Sequence, residues 1–138
     1  MAFSVKIIRA SDFIRFDAEK RPSIAAGRDS LRALGQLCLD QGINRVLIDC
    51  RAVEQPLTIA DLYTLISALP ELGFPRHVWI ALLPKDGYFD RAQFAGLCAA
   101  NRGWRVEPFR QFEEAIEWMS VVDDAPAPIP SAPLPAKE

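Results

Sequence analysis

The sequence has little excess charge and few of the residues that build metal or catalytic sites. Eighteen acidic and sixteen basic residues give a formal net charge of -2, which is too small to attract a polyanion and disfavours nucleic-acid binding through charge. The only histidine is His77, and the seven glycines are scattered, without the spacing of a phosphate-binding loop or a dinucleotide fingerprint. A hydrolase triad therefore has no support, and we expect no cofactor.

The cysteines lack the spacing of a metal or redox motif. Cys38, Cys50 and Cys98 lie far apart in apolar segments, and there is no Cys-x-x-Cys pair. We expect three small buried residues in a reducing compartment, and no metal site. The alternative is that Cys50 is a reactive thiol, because the neighbouring Arg51 would lower its pKa.

No hydrophobic run is long enough to span a membrane, and the first residues alternate as in a strand instead of forming a signal peptide. Half of the residues are hydrophobic and a quarter are charged, in a chain of 138 residues. This composition predicts one globular domain in the cytoplasm, without a transmembrane segment.

Hydrophobic periodicity predicts an α/β domain with five strands and four helices. The strands are expected over residues 3–9, 13–18, 45–50, 77–83 and 104–109, and the helices over 23–41, from 58 to about 70, 88–101 and 112–119. Strands that are joined by helices run parallel, so this β-β-α-β-α-β-α-β-α order predicts a single-layer, mixed, mostly parallel sheet of five strands. The segments 45–50 and 77–83 are continuously apolar and are expected side by side in its centre.

Local signals place the turns and caps. Ser11-Asp12 predicts a hairpin turn, and Ser23 and Gly42 are expected to cap the first helix. Pro108 lacks an N–H group, so the last strand should lie at an edge or end at that residue.

The helix predicted over residues 88–101 is expected to turn Phe94, Leu97 and Cys98 toward the core. The composition then changes after residue 120, where the remaining segment holds five of the eleven prolines. We therefore expect a domain over residues 1–120 and a disordered proline- and alanine-rich tail over 121–138.

Several segments resemble a known family. They are RVLIDC at 45–50, LTIADLY at 57–63, NRGWRV at 101–106 and EAIEWM at 114–119. The sequence resembles a STAS domain and, more closely, the bacterial SpoIIAA-like proteins, over nearly all of residues 3–120. The resemblance implies a non-enzymatic regulatory or protein-interaction domain that docks an unidentified protein against a helix face, with a homodimer as one form.

Antagonist STAS domains carry a phosphorylated serine in an Asp-Ser-Ser-Gly-like run at the start of the helix after the central strand. Here that position holds Pro56-Leu-Thr-Ile-Ala-Asp61, and Thr58 is the only hydroxyl residue at the helix start. Thr58 is therefore the candidate phosphorylation site, and the alternative is that it only caps the helix, with Asp61 completing a capping box.

A second site is predicted at the carboxyl ends of the central strands, where open α/β sheets bind ligands. Its candidate residues are Asp49, Arg51 and Glu54 after one strand and Lys85 and Asp86 after the next. The alternative for Asp49 is a carboxylate that orders the loop. An enzyme using Asp49 or Cys50 is the least supported hypothesis.

The resemblance also implies a second kind of function, because SpoIIAA-like proteins are similar in fold to CRAL-TRIO lipid-transfer domains. The alternative to the interaction domain is therefore a small-molecule or lipid-binding module. Such a module requires an apolar cavity, and a chain of this length is expected to have little volume left for one after its core is packed.

Overall fold

The computed structural model describes the backbone of residues 4–8 and all of residues 13–120. The strands are β1 (Ser4–Ile8), β2 (Phe13–Asp17), β3 (Arg45–Asp49), β4 (Trp79–Leu83) and β5 (Arg105–Pro108). The helices are α1 (Ile24–Gln41), α2 (Ile59–Ala68), α3 (Phe89–Ala100) and α4 (Phe112–Met119). The sheet order is β1-β2-β3-β4-β5, in which β2 to β5 run parallel and β1 pairs antiparallel with β2. The α/β class is thus confirmed, and the parallel part of the sheet comprises four strands.

The predicted caps of α1 are present. The Ser23 hydroxyl oxygen accepts a hydrogen bond from the Ala26 N–H at 3.1 Å, and Gly42 ends the helix at φ 65°. A side chain is strained at this φ, and glycine adopts it freely. The turn predicted at Ser11-Asp12 and the tail over 121–138 lie outside the described residues.

The two apolar segments in the middle of the chain lie side by side, as predicted. β3 and β4 pair in parallel, with Val46 opposite Ile80 and Leu47 opposite Ala81. β5 lies at the edge of the sheet and ends at Pro108. β4 begins later than residue 77, because the Val78 N–H bonds to the Pro75 carbonyl in a turn.

Successive side chains of a strand point to opposite faces of the sheet, and here both faces are apolar. Val46 and Ile80 belong to the larger core, which includes residues of α1, α2 and α3. Leu47 and Ala81 belong to a smaller core with Ala115 of α4. The three consecutive helices α1 to α3 therefore share one face of the sheet, and α4 lies on the other.

The inner face predicted for α3 is wrong at two positions. Phe94 and Leu97 are 36% and 64% exposed, and the residues that face the core are small, such as Ala95 and Ala99. The reason is close packing against the edge strand: a Cβ atom at Gly96 would lie 2.8 Å from the Val106 carbonyl oxygen. Large side chains do not fit in this contact and are turned toward solvent.

Candidate ligand-binding site

The Asp49 carboxylate lies at the end of β3 between two arginines. It accepts a 2.6 Å hydrogen bond from Nη2 of Arg15, and it accepts bonds from the backbone N–H, Nε and Nη2 of Arg51 at 3.0, 3.0 and 2.8 Å. Both guanidinium groups also lie over the ring of Phe112 in α4, at 5.6 and 6.0 Å. This network joins β2, β3 and the start of the following loop. It agrees with the alternative role given for Asp49, a carboxylate that orders the loop.

The network also changes the acidity of Asp49. The burial of this carboxyl group would raise its pKa, but the hydrogen bonds from Arg51 and the positive charges of Arg51 and Arg15 outweigh that effect. The pKa of Asp49 therefore lies below its ordinary value. Near neutral pH the group is ionised and its oxygens are already hydrogen-bonded.

The five residues predicted to form one crevice lie in two groups. Asp49 and Arg51 lie on the α4 side of the sheet, beside Phe112. Lys85 points instead toward the loop after β3, where its Nζ lies 3.4 Å from the carbonyl oxygen of Glu54. Asp86 is exposed in the turn after β4.

An apolar cavity of about 220 Å³ lies on the opposite side, between the sheet and helices α1, α2 and α3. Large apolar side chains form most of its wall, among them Phe16, Leu34, Ile48, Leu62, Ile80 and Leu82. Ile48 and Leu82 are only half-buried, although they belong to inner strands of the sheet. The cavity therefore leaves apolar surface uncovered inside the fold.

The expectation that so short a chain leaves little volume for a cavity is wrong. The helices contribute small residues to the cavity wall, namely Ala26 and Gly27 from α1 and Ala92 and Ala95 from α3. Because these side chains are short, they do not fill the space between the helices and the sheet. A cavity of ~150 Å³ lined by apolar side chains stays dry and binds benzene. The cavity found here is larger and is open on one side, so it has room for a small organic molecule.

One end of the cavity lies at the carboxyl ends of three parallel strands. Glu19 follows β2, Cys50 follows β3 and Lys85 follows β4, and all three belong to the cavity wall. They are half-buried, in contrast to the buried residues deeper in the core. We call this end, with the neighbouring residues Tyr88 and Arg91, the mouth of the cavity.

Two cationic residues belong to the wall at the mouth, which they line mainly with the apolar part of their side chains. Arg91 lies with its guanidinium carbon 4.8 Å from the centre of the Tyr88 ring and donates a hydrogen bond to the Leu57 carbonyl. Within residues 13–120, Nζ of Lys85 lies 3.4 Å from the Glu54 carbonyl oxygen. Neither is among the cations that form salt bridges within residues 13–120.

Of the residues at the mouth, Lys85 was predicted from the sequence, and Glu19, Tyr88 and Arg91 were not. The signal that could have found them is positional. Glu19 directly follows a predicted strand, and Tyr88 and Arg91 lie in the first turn of the helix after another. Parallel strands bring such residues together at the carboxyl edge of the sheet.

Cys50 lines the cavity, but its environment does not activate the thiol. Burial and the negative charge of Asp49 raise the pKa of Cys50 to about 12. The suggestion that Arg51 would lower this pKa is therefore wrong, since the Arg51 guanidinium is bound to the Asp49 carboxylate. Cys38 and Cys98 are buried, as expected.

No family model, curated protein or solved structure matches this chain. Residues 4–8 and 13–120 contain no cluster of three or more histidine, cysteine, aspartate or glutamate side chains that could hold a metal ion. In the same part of the chain, every helix is too short or too polar to cross a membrane.

Thr58 forms the capping box predicted at the start of α2. Its hydroxyl oxygen accepts a hydrogen bond from the Asp61 N–H at 3.1 Å, and the Thr58 N–H lies 3.4 Å from the Asp61 carboxylate. A phosphate on Thr58 would therefore lie close to a carboxylate, which opposes the gain from the helix N-terminus. Phosphorylation of Thr58 stays a prediction, and capping accounts for the residue.

Replacing Thr58 by alanine is expected to lower the free energy of unfolding by about 1 kcal/mol, because the cap hydrogen bond to the Asp61 N–H is lost. Urea denaturation measures the change. Thr58→Ser keeps the hydroxyl group and should stay close to the wild type. An alanine variant as stable as the serine variant would show that the hydroxyl group does not stabilise α2.

Proposed function

We propose that this domain is a non-enzymatic binding module that holds the apolar part of a small molecule in the cavity. The observation that carries the proposal is the cavity itself, with a volume of about 220 Å³ and an almost wholly apolar wall. Small-molecule sites are typically apolar pockets with a few polar groups, and in open α/β sheets they lie at the carboxyl edge. The resemblance to SpoIIAA-like proteins, with their CRAL-TRIO-like fold, agrees with this function.

The state of the reactive groups near the cavity supports binding without catalysis. The Cys50 thiol is protonated near neutral pH, because its pKa is raised to about 12. The Asp49 carboxylate is occupied by Arg15 and Arg51 and lies on the other side of the sheet. Neither of the two groups that the sequence suggested for an enzyme, Asp49 and Cys50, is therefore free to act as a general base or a nucleophile.

The proposal is tested by titrating the isotopically labelled protein with toluene and following the backbone amide resonances. We expect saturable shifts at residues of the cavity wall. Ala95→Leu fills part of the cavity and should weaken toluene binding at least ~10-fold, since the cavity loses volume. Leu97→Ser is the control, because Leu97 is exposed on the same helix and does not line the cavity.

Two results would contradict the proposal. The first is the absence of saturable shifts in the wild type. The second is a loss of binding in Leu97→Ser with full binding in Ala95→Leu, which would place toluene on the helix surface. The amide spectrum itself shows whether each variant is folded.

The regulatory interaction domain implied by the STAS resemblance remains a second candidate. It is favoured by large apolar side chains exposed on neighbouring helices: Ile59 and Tyr63 on α2, and Phe94 and Leu97 on α3, which are 36% to 64% exposed. Where such side chains form a contiguous patch, they mark a protein-interaction surface. A protein partner, a homodimer and a cytoplasmic bacterial origin stay predictions of that resemblance.

A further inference from the structure

We propose that the ligand is an amphipathic anion, namely a single chain of roughly eight carbons whose terminal carboxylate stays at the mouth between Lys85 and Arg91. The inference rests on the proposed function and adds the class of ligand. Two independent properties of the site carry it: the volume of the cavity and the charges at its mouth.

The volume limits the apolar part of the ligand. A cavity of ~150 Å³ holds the six carbons of benzene. By proportion, about 220 Å³ holds roughly nine non-hydrogen atoms. This space fits a medium-length alkyl chain or one ring with a short side chain. It is too small to enclose the two chains of a phospholipid or the whole of a long-chain fatty acid, the rest of which would extend through the open side.

The charges select the head group. Lys85 and Arg91 are half-buried beside apolar wall residues, and neither pairs with a carboxylate in residues 13–120. The hydrogen bonds recorded for them go to the neutral carbonyl oxygens of Glu54 and Leu57. Bonds between a cation and an anion are stronger than bonds to a neutral acceptor. A ligand carboxylate would therefore gain by replacing or supplementing these contacts.

Glu19 is the opposing charge at the mouth, because it also belongs to the cavity wall. Glu54 lies nearby, but its carboxylate is 3.6 Å from Nε of Arg21. Among the residues of the cavity wall, Lys85, Arg91 and Glu19 sum to one net positive charge. A ligand with a carboxylate should thus bind more tightly than an amine of the same chain length. The negative charge of Glu19 makes this difference in affinity smaller.

The test compares three ligands with the same chain: octanoate, octan-1-ol and octylamine. Isothermal titration calorimetry of the full chain near neutral pH gives each affinity. We expect octanoate to bind about tenfold more tightly than octan-1-ol, because its head group gains hydrogen bonds from charged donors. Octylamine should bind most weakly, and hexadecanoate should bind more weakly than octanoate because its chain exceeds the cavity.

Variants at the mouth separate charge from shape. Lys85→Met and Arg91→Met should each weaken octanoate binding about fivefold to tenfold and should weaken octan-1-ol binding much less. Glu19→Gln should strengthen octanoate binding, since it removes the repelling carboxylate. Octan-1-ol serves as the control for an intact site, because Arg91 also holds the loop at Leu57.

The outcomes distinguish this inference from the proposed function. Equal affinities for octanoate and octan-1-ol, or tighter binding of octylamine, would overturn the anionic ligand and leave the apolar site in place. Binding of toluene without any binding of octanoate would also overturn the anionic ligand and leave the apolar site in place. If neither toluene nor any of the eight-carbon ligands binds, the proposed function fails and the inference fails with it.

Discussion

Replacing Asp49 by asparagine is expected to lower the free energy of unfolding by about 2 kcal/mol. The asparagine side chain has the same shape, but it loses the negative charge that holds Arg15 and Arg51. Its amide group also places two hydrogen-bond donors where the carboxylate has only acceptors. Two positive groups would then face each other across a partly buried site.

The size of the effect follows from the exposure of the three partners. Removing one member of a fully buried ion pair costs about 3–5 kcal/mol, and exposed pairs contribute about 0–1 kcal/mol. The Asp49 side chain is 7% exposed, but Arg15 and Arg51 are 27% and 47% exposed. Their guanidinium groups are able to turn toward water in the variant, so we expect a value between these limits.

The effect should depend on pH in a defined direction. The pKa of Asp49 is lowered in the folded state, so its contribution to stability is fully present above the ordinary aspartate pKa of about 4. Below this pH the unfolded state binds a proton that the folded state does not bind. The wild type should therefore lose stability faster than Asp49→Asn as the pH falls, and the difference between them should shrink.

Urea denaturation of both proteins between about pH 7 and pH 3 measures this difference. Glu71→Gln provides the matched control, since Glu71 accepts a 2.7 Å hydrogen bond from Arg28 on an exposed surface. That bond also lowers the pKa of Glu71, but solvent screens the pair and the variant should stay close to the wild type. Equal effects of the two substitutions would show that the Asp49 network is no stronger than a surface pair.

The arrangement of the strands and caps followed from local patterns. Continuous apolar runs identified β3 and β4 as inner strands, and the hydroxyl residues Ser23 and Thr58 identified two helix starts. These features depend on hydrogen bonds and burial within a few residues along the chain. For this reason they are visible in a single sequence.

The cavity and the inner face of α3 depend on distances between elements, which the sequence does not contain. Periodicity alone placed Phe94 and Leu97 inward, because large apolar residues are usually buried. The close contact of Gly96 with the Val106 carbonyl leaves no room for large side chains on that face, so Phe94 and Leu97 are exposed. The run of small residues around Ala95 is the local signal of this close packing.

The cavity makes a second stability prediction with a matched pair on one helix. Ala95 and Ala99 lie one turn apart on α3 and are 3% and 0% exposed, but only Ala95 belongs to the cavity wall. Ala99→Leu inserts three carbons into close-packed surroundings and should lower the free energy of unfolding by about 2 kcal/mol. Ala95→Leu inserts the same atoms next to open space and should change the free energy of unfolding by less than about 1 kcal/mol.

The pair isolates packing from other effects of the substitution. Alanine and leucine have similar helix propensities, and both sites lose the same residue type on the same helix, so these contributions nearly cancel. Thermal and urea denaturation give the two changes, and the toluene affinity reports whether the leucine at 95 occupies the cavity. Equal destabilisation at the two sites would mean that the helix is packed as tightly at Ala95 as at Ala99. A ligand would then have no room between α3 and the sheet.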